Sequence, residues 1–151
     1  MTYKFRNLDC PASYNSSKEE IIDFLKDIKG KKYGINILDT SGAEEYKGKM
    51  EEWIKFGDGF ILVYAINNKN SFDLLKEIYE SILKIKNQAN IPMIIVGNKL
   101  DLETERQVPQ IEALKLAESW GINYYVETSV LSNINCNEVL EKLVELMNLS
   151  K

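Results

Sequence analysis

Four residues, Asn98-Lys99-Leu100-Asp101, place an amide, a long cationic stem and a carboxylate directly after the apolar run Ile91-Pro92-Met93-Ile94-Ile95-Val96-Gly97. An ionised carboxylate has two acceptor oxygens, so Asp101 can take two neighbouring N–H donors at once. The ring and exocyclic N–H groups of guanine form such a pair; adenine offers none. Asn98 is placed to reach the same base edge and tie its loop to its neighbours. The Lys99 stem is placed to cover the ring face. Two further polar segments, Asp39-Thr40-Ser41-Gly42 and Glu127-Thr128-Ser129, close apolar runs of their own.

A base needs its phosphates held as well, and the usual cradle is G-x-x-x-x-G-K-[ST]. Its glycines let backbone N–H groups close on the phosphates, its lysine neutralises charge, and its hydroxyl binds magnesium. The segment after the first expected strand reads Asp9-Cys10-Pro11-Ala12-Ser13-Tyr14-Asn15-Ser16-Ser17, with neither glycine nor lysine. Pro11 removes an N–H donor, and Asp9 adds negative charge. Ser16 and Ser17 are hydroxyls suited to capping a helix. Gly42-Ala43-Glu44-Glu45-Tyr46-Lys47-Gly48-Lys49-Met50 ends in a Gly-Lys pair but is no cradle. Its spacer is one residue too long, it carries two acids, and Met50 stands where the hydroxyl belongs.

The elements that position these residues alternate short apolar runs with longer amphipathic ones, the pattern of an α/β domain with a parallel sheet. Strands are expected at Tyr3–Leu8, Tyr33–Asp39, Phe60–Ile66, Pro92–Gly97 and Asn123–Glu127. The third and fourth are nearly all apolar, as strands covered on both faces are. Ser17-Lys18-Glu19-Glu20 reads as a capping box before Ile21, Phe24, Leu25 and Ile28 at helical spacing, with Gly30 as a C-cap. The alternative for this stretch is the first arm of a β-hairpin turning at Gly30. Further helices are expected over Glu44–Lys55, from Ser71 (Leu74, Leu75, Ile78, Ile82, Ile85), over Pro109–Trp120, and over Asn137–Met147. Trp53 and Trp120 fall on helical faces as packing residues.

Taken in order, these segments resemble the Ras-like small GTPases. Asp39-Thr40-Ser41-Gly42-Ala43-Glu44-Glu45-Tyr46 is similar to the family's D-T-A-G-Q-E-E-Y, and Phe60–Asn68 with Ser71-Phe72 to its central strand and exit. Val96-Gly97-Asn98-Lys99-Leu100-Asp101-Leu102 matches V-G-N-K-x-D-L, and Glu127-Thr128-Ser129 matches E-T-S of E-T-S-A-K. The resemblance runs from about Ile35 to the C-terminus. It implies a three-layer αβα G-domain-like fold, one domain over residues 1–151, with a mainly parallel five-stranded sheet in order 2-1-3-4-5. With residues 21–28 helical, the family's antiparallel edge strand and first switch are shortened or missing.

By the same resemblance, Asn98, Lys99, Asp101, Ser129, Val130, Leu131 and Gly42 are the nucleotide-binding positions and Asp39 the magnesium-associated one. Ser129 supports the loop, and backbone N–H groups near Val130 meet the guanine oxygen. Val130-Leu131 replaces the family's Ala-Lys, which adds bulk and removes a charge. Ala43 stands where the family has its water-orienting glutamine, and a methyl group cannot hydrogen-bond a water. No residue is assigned a catalytic role. Glu44, Glu45, Tyr46 and Trp53 are the expected partner surface, since the family uses that region.

Composition narrows the rest. The chain has 151 residues, 44% of them apolar and 28% charged, with a net charge of −4 and no histidine. That balance suits a globular domain and argues against nonspecific nucleic-acid binding. Cys10 and Cys136 fit neither a zinc site nor a disulfide framework, which points to a reducing, cytoplasmic setting. No signal peptide, prenylation box or myristoylation glycine is expected, hence no intrinsic membrane anchor. The sequence therefore reads as a Ras-like pseudoGTPase: a protein-interaction or regulatory module with protein partners and no required cofactor. The alternative is a divergent small GTPase that retains weak GTP or GDP binding, with Mg2+, and slow hydrolysis.

Overall fold

The computed structural model describes residues 20–40 and 47–149. The expected strand Tyr3–Leu8, the segment Asp9–Ser17, and Gly42, Ala43, Glu44, Glu45 and Tyr46 lie outside the described residues.

Residues 21–28 are not a helix. Strand β1 (Glu20–Ile28) pairs antiparallel with β2 (Lys31–Asp39), from Glu20 opposite Asp39 to Ile28 opposite Lys31. The turn explains the outcome. Lys29 and Gly30 both have positive φ, 54° and 79°, the signature of a two-residue type I′ hairpin turn. The Asp27 carboxylate accepts the Gly30 N–H at 2.9 Å, fixing that turn. Gly30 thus serves a hairpin rather than a helix cap, and Glu20 belongs to a strand rather than a capping box. In the extended form Ile22, Phe24 and Ile28 turn inward. Ile21 and Leu25, the other half of the helix-like stripe, stand 64% and 78% exposed. The antiparallel edge strand, expected to be shortened or missing, is thus a nine-residue strand.

Helix α1 (Lys47–Phe56) follows, then β3 (Phe60–Ala65), helix α2 (Lys69–Lys86), β4 (Met93–Asn98) and a kinked 3-10 segment (Leu100–Glu105). Helix α3 (Gln110–Ser119), β5 (Tyr125–Glu127) and α4 (Cys136–Leu149) complete the order. Strands β3, β4 and β5 form a parallel sheet in that order. Among the described residues the strands thus make a two-stranded antiparallel sheet and a three-stranded parallel one, not the expected mainly parallel five-stranded sheet. Strand β4 is buried at Met93 through Gly97, as its unbroken apolar run requires.

Capping sets the helix ends. Asn68 Oδ1 accepts the Ser71 N–H at 3.1 Å to start α2, and Asn87 in the left-handed region ends it. Pro109 and Trp120 flank α3, where Gly121 follows at φ 68°. Leu74 departs from the expected buried stripe: it is 52% exposed, while Phe72, Leu75 and Ile82 carry the packing.

Two apolar clusters define the layers. Ile54 of α1, Phe72, Leu75 and Ile82 of α2, and Ala113 and Ala117 of α3 pack on Leu62, Tyr64, Met93 and Ile95 of the parallel sheet. On the other face, Val139, Leu140 and Leu143 of α4 pack on Ile94 and Val96, joined by Phe24, Ile35 and Ile37 of the hairpin. Helix α4 thus covers both sheets. Hydrogen bonds fix the hairpin to it: Lys26 Nζ to Asn137 Oδ1 at 3.1 Å, Asn148 Nδ2 to the Tyr33 hydroxyl at 3.0 Å, and an ion pair from Lys29 to Glu145. Trp120 is half-buried and stacks flat on Tyr79, ring centroids 4.1 Å apart. Trp53 is half-buried as well. Among the described residues no helix is long and apolar enough to cross a membrane.

Candidate functional site

The carboxyl ends of β4 and β5 bring the two strongest sequence segments together. Asn98 is the last residue of β4, and Lys99 then turns the chain at φ 69°, into the 3-10 segment that carries Asp101. Glu127 ends β5 and delivers Thr128 and Ser129 alongside. The backbones interlock: Thr128 N–H donates to Gly97 O at 2.8 Å and Leu100 N–H to Thr128 O at 2.9 Å. Ile66 N–H adds a bond to Asn98 O at 3.0 Å, which anchors the loop to the end of β3.

Side chains then set the polar groups. The Ser129 hydroxyl donates to Asp101 Oδ1 at 2.5 Å and accepts the Ser132 N–H at 3.0 Å. Its one proton is thereby committed to the carboxylate. Among the described residues only Ser129 bonds to Asp101, whose second oxygen is open to a further donor. The Thr128 hydroxyl donates to Asn98 Oδ1 at 3.0 Å, which leaves the Asn98 amide N–H groups to act elsewhere. Thr128 and Ser129 are both 0% exposed, so neither hydroxyl depends on water for its partners. Lys99 and Asp101 are exposed.

The loop beyond is closed by a bridge in which Ser129 N–H donates to Ile134 O at 3.2 Å and Ile134 N–H to Ser129 O at 2.9 Å. Val130 is half-buried at its start, while Leu131 is 82% exposed. Asp39 ends β2, half-buried, and Gly42 lies outside the described residues. The structure thus brings together Asn98, Lys99, Asp101, Ser129 and Val130.

Sequence reasoning missed the residue that braces this pair of loops. Arg106 donates from NH1 and NH2 to the two oxygens of Glu127 at 2.7 and 2.9 Å. It also donates from Nε and NH2 to Glu103 at 2.8 and 2.5 Å, and from NH1 to Val108 O at 3.0 Å. Glu103 lies two residues beyond Asp101 and Glu127 two before Ser129, so one guanidinium spans both segments. Hydrogen bonds to Glu127 and then Glu103 raise the arginine pKa above its ordinary value, while the same arginine lowers that of Glu103. No periodicity connects positions 103, 106 and 127. The only sequence signal was Glu127 within its motif.

Polar loops meeting beyond the carboxyl ends of parallel strands, with helices on both faces, define a layered α/β domain. Comparison with known proteins narrows the class. A family model described as the Ras family matches residues 1–149. Ras-like protein 1 of Saccharomyces cerevisiae is 42% identical over 113 residues, 75% of this chain and 36% of that protein. Human Ras-related protein R-Ras is 34% identical over 144 residues, 95% of this chain and 66% of that protein. The chain therefore belongs to the Ras family of small GTPases, and it spans less than two thirds of either relative's length.

Proposed function

We propose that this chain is a Ras-family pseudoGTPase, a G-domain scaffold that acts as a protein-interaction or regulatory module with little or no GTP binding and hydrolysis. One observation carries the reading: Ala43 stands where the family has its water-orienting glutamine, and a methyl group can neither donate nor accept a hydrogen bond. The segment Asp9–Ser17 offers a phosphate no glycine or lysine, and Pro11 removes an N–H donor. Among the described residues no group of three acidic, cysteine or histidine side chains suits a metal. Asn98, Lys99, Asp101 and Ser129 suit the base end of a nucleotide. Isothermal titration with GTP and GDP plus magnesium tests this; submicromolar affinity for either overturns it.

The formed Ser129–Asp101 and Thr128–Asn98 bonds favour a second reading, in which weak guanine-nucleotide binding is retained. On that reading Asp101→Asn replaces an acceptor with a donor and shifts preference towards xanthine nucleotides. Unchanged binding of every nucleotide by the variant sinks it.

Protein contacts are proposed at two surfaces. One is the region of Glu44, Glu45, Tyr46 and Trp53. The other is β1, which pairs only with β2 among the described strands and exposes Ile21 and Leu25. An apolar, unpaired strand edge is a template for partner chains. Alanine at Tyr46 and Trp53, and separately at Ile21 and Leu25, is expected to weaken partner capture. A partner insensitive to all four overturns the placement. A cytoplasmic setting is proposed with this role.

A further inference from the structure

A second polar chain reaches the same loops from inside the core. Tyr64 is 2% exposed in the middle of the apolar cluster, on β3. Its hydroxyl lies 3.0 Å from that of Tyr125 on β5. Tyr125 in turn donates to Glu127 Oε1 at 2.7 Å. Each phenol has one proton. That of Tyr125 is committed to the carboxylate, so Tyr64 donates to the Tyr125 oxygen. Burial raises the pKa of both phenols above its ordinary value, which keeps both protons in place at neutral pH. Glu127 thus receives Tyr125 on one side and the Arg106 fork on the other.

The Tyr64 ring end also sets the backbone height of β4. A Cβ built on Gly97 comes within 2.8 Å of the Tyr64 hydroxyl oxygen, closer than real contacts allow. Gly97 immediately precedes Asn98, and its carbonyl accepts the Thr128 N–H. One hydroxyl therefore touches the root of the first loop while its hydrogen bond leads to the root of the second.

We propose that Tyr64 and Tyr125 are positioning residues that, through Glu127 and Arg106, set the spacing between Asn98–Asp101 and Thr128–Ser129. The role of this spacing in base binding rests on the base-recognition reading of those loops. A bare aromatic core at these positions fills the same volume without fixing that distance. The hydroxyls add direction, because a hydrogen-bond chain tolerates only a narrow range of donor–acceptor separations.

Amide hydrogen exchange on Tyr64→Phe and Tyr125→Phe tests it, since each keeps its ring and loses one hydroxyl. The N–H groups of Leu100 and Thr128 report the interlock between the loops, and those of Ile82 and Val139 report the core. Exchange at Leu100 and Thr128 is expected to rise about fivefold to tenfold more than at Ile82 and Val139. An equal rise at all four means general destabilisation and overturns the proposal, as does no change at the two loop amides. If Tyr125→Phe fails to fold, Tyr64→Phe carries the same comparison with the Tyr125–Glu127 bond intact. Guanosine, which has no phosphates, separates the two readings by amide shifts at Asn98, Asp101 and Ser129. Shifts in the wild type that weaken in both variants are expected. No shift in the wild type overturns base recognition, while the exchange comparison still decides whether the tyrosines position the loops.

Discussion

Replacing Arg106 by methionine keeps an unbranched apolar stem and removes all five of its side-chain hydrogen bonds. The two carboxylates it serves then fare differently. The Glu103 side chain is 59% exposed and rehydrates. The Glu127 side chain is 8% exposed and keeps only the Tyr125 hydroxyl. Breaking a buried ion pair from one side costs about 3–5 kcal/mol. Urea unfolding at neutral pH, followed by the fluorescence of Trp53 and Trp120, measures the loss. A loss below about 1 kcal/mol refutes the reasoning. Glu103→Gln is the control and is expected to unfold with the wild type.

Four further expectations follow the same geometry. Gly97→Ala forces a methyl group against Tyr64 and is expected to cost about 1–3 kcal/mol; Tyr64→Phe in the same chain recovers part of it, and strict additivity in the double-mutant cycle refutes the contact. Gly30→Ala meets no atom within 4 Å, so its cost is conformational alone, about 1–2 kcal/mol by thermal or urea unfolding, and neutrality refutes the type I′ turn. Ile82→Ala is expected to cost about 2–5 kcal/mol, whereas Leu83→Ala, at 42% exposure, is expected to lie within about 1 kcal/mol of wild type; equal losses refute the assigned face of α2. Lys29 holds the Glu145 pKa below its ordinary 4.5, so this pair's stabilisation is present above that value and lost as pH falls through the depressed one. Lys29→Gln is expected to flatten the acid limb of stability against pH, and an unchanged limb refutes the pairing.

The parallel half of the fold was legible because its signals are local. The run ending at Gly97 is apolar at every position, and only a strand buried on both faces uses such a run at that length. Helix α2 announced itself through Ser71 and a long amphipathic stretch, although Leu74 proved to face outward. The hairpin was not legible from spacing, because Ile21, Phe24, Leu25 and Ile28 satisfy helical periodicity. Pairing with residues far enough along to lie outside that window decided the matter, together with a Lys-Gly turn that lacks the usual asparagine or aspartate. At the site, motif order placed Asp101 beside Ser129 and Asn98 beside the neighbouring loop. The Arg106 fork and the Tyr64–Tyr125 pair were invisible, because contacts between residues far apart in sequence leave no periodic trace.

Because α4 seals one face of both sheets, synthesis imposes an order on assembly. A ribosome delivers residues 136–149 after every other described element. Until they emerge, Ile94 and Val96 on the nascent parallel sheet, and Phe24, Ile35 and Ile37 on the hairpin, have no lid. At about 5–20 residues per second, the interval between completing β4 and releasing the last helix lasts seconds. The growing polypeptide thus carries two greasy, unpaired surfaces for that time, a window in which a holding chaperone has something to grip and a stalled chain has a route to aggregation.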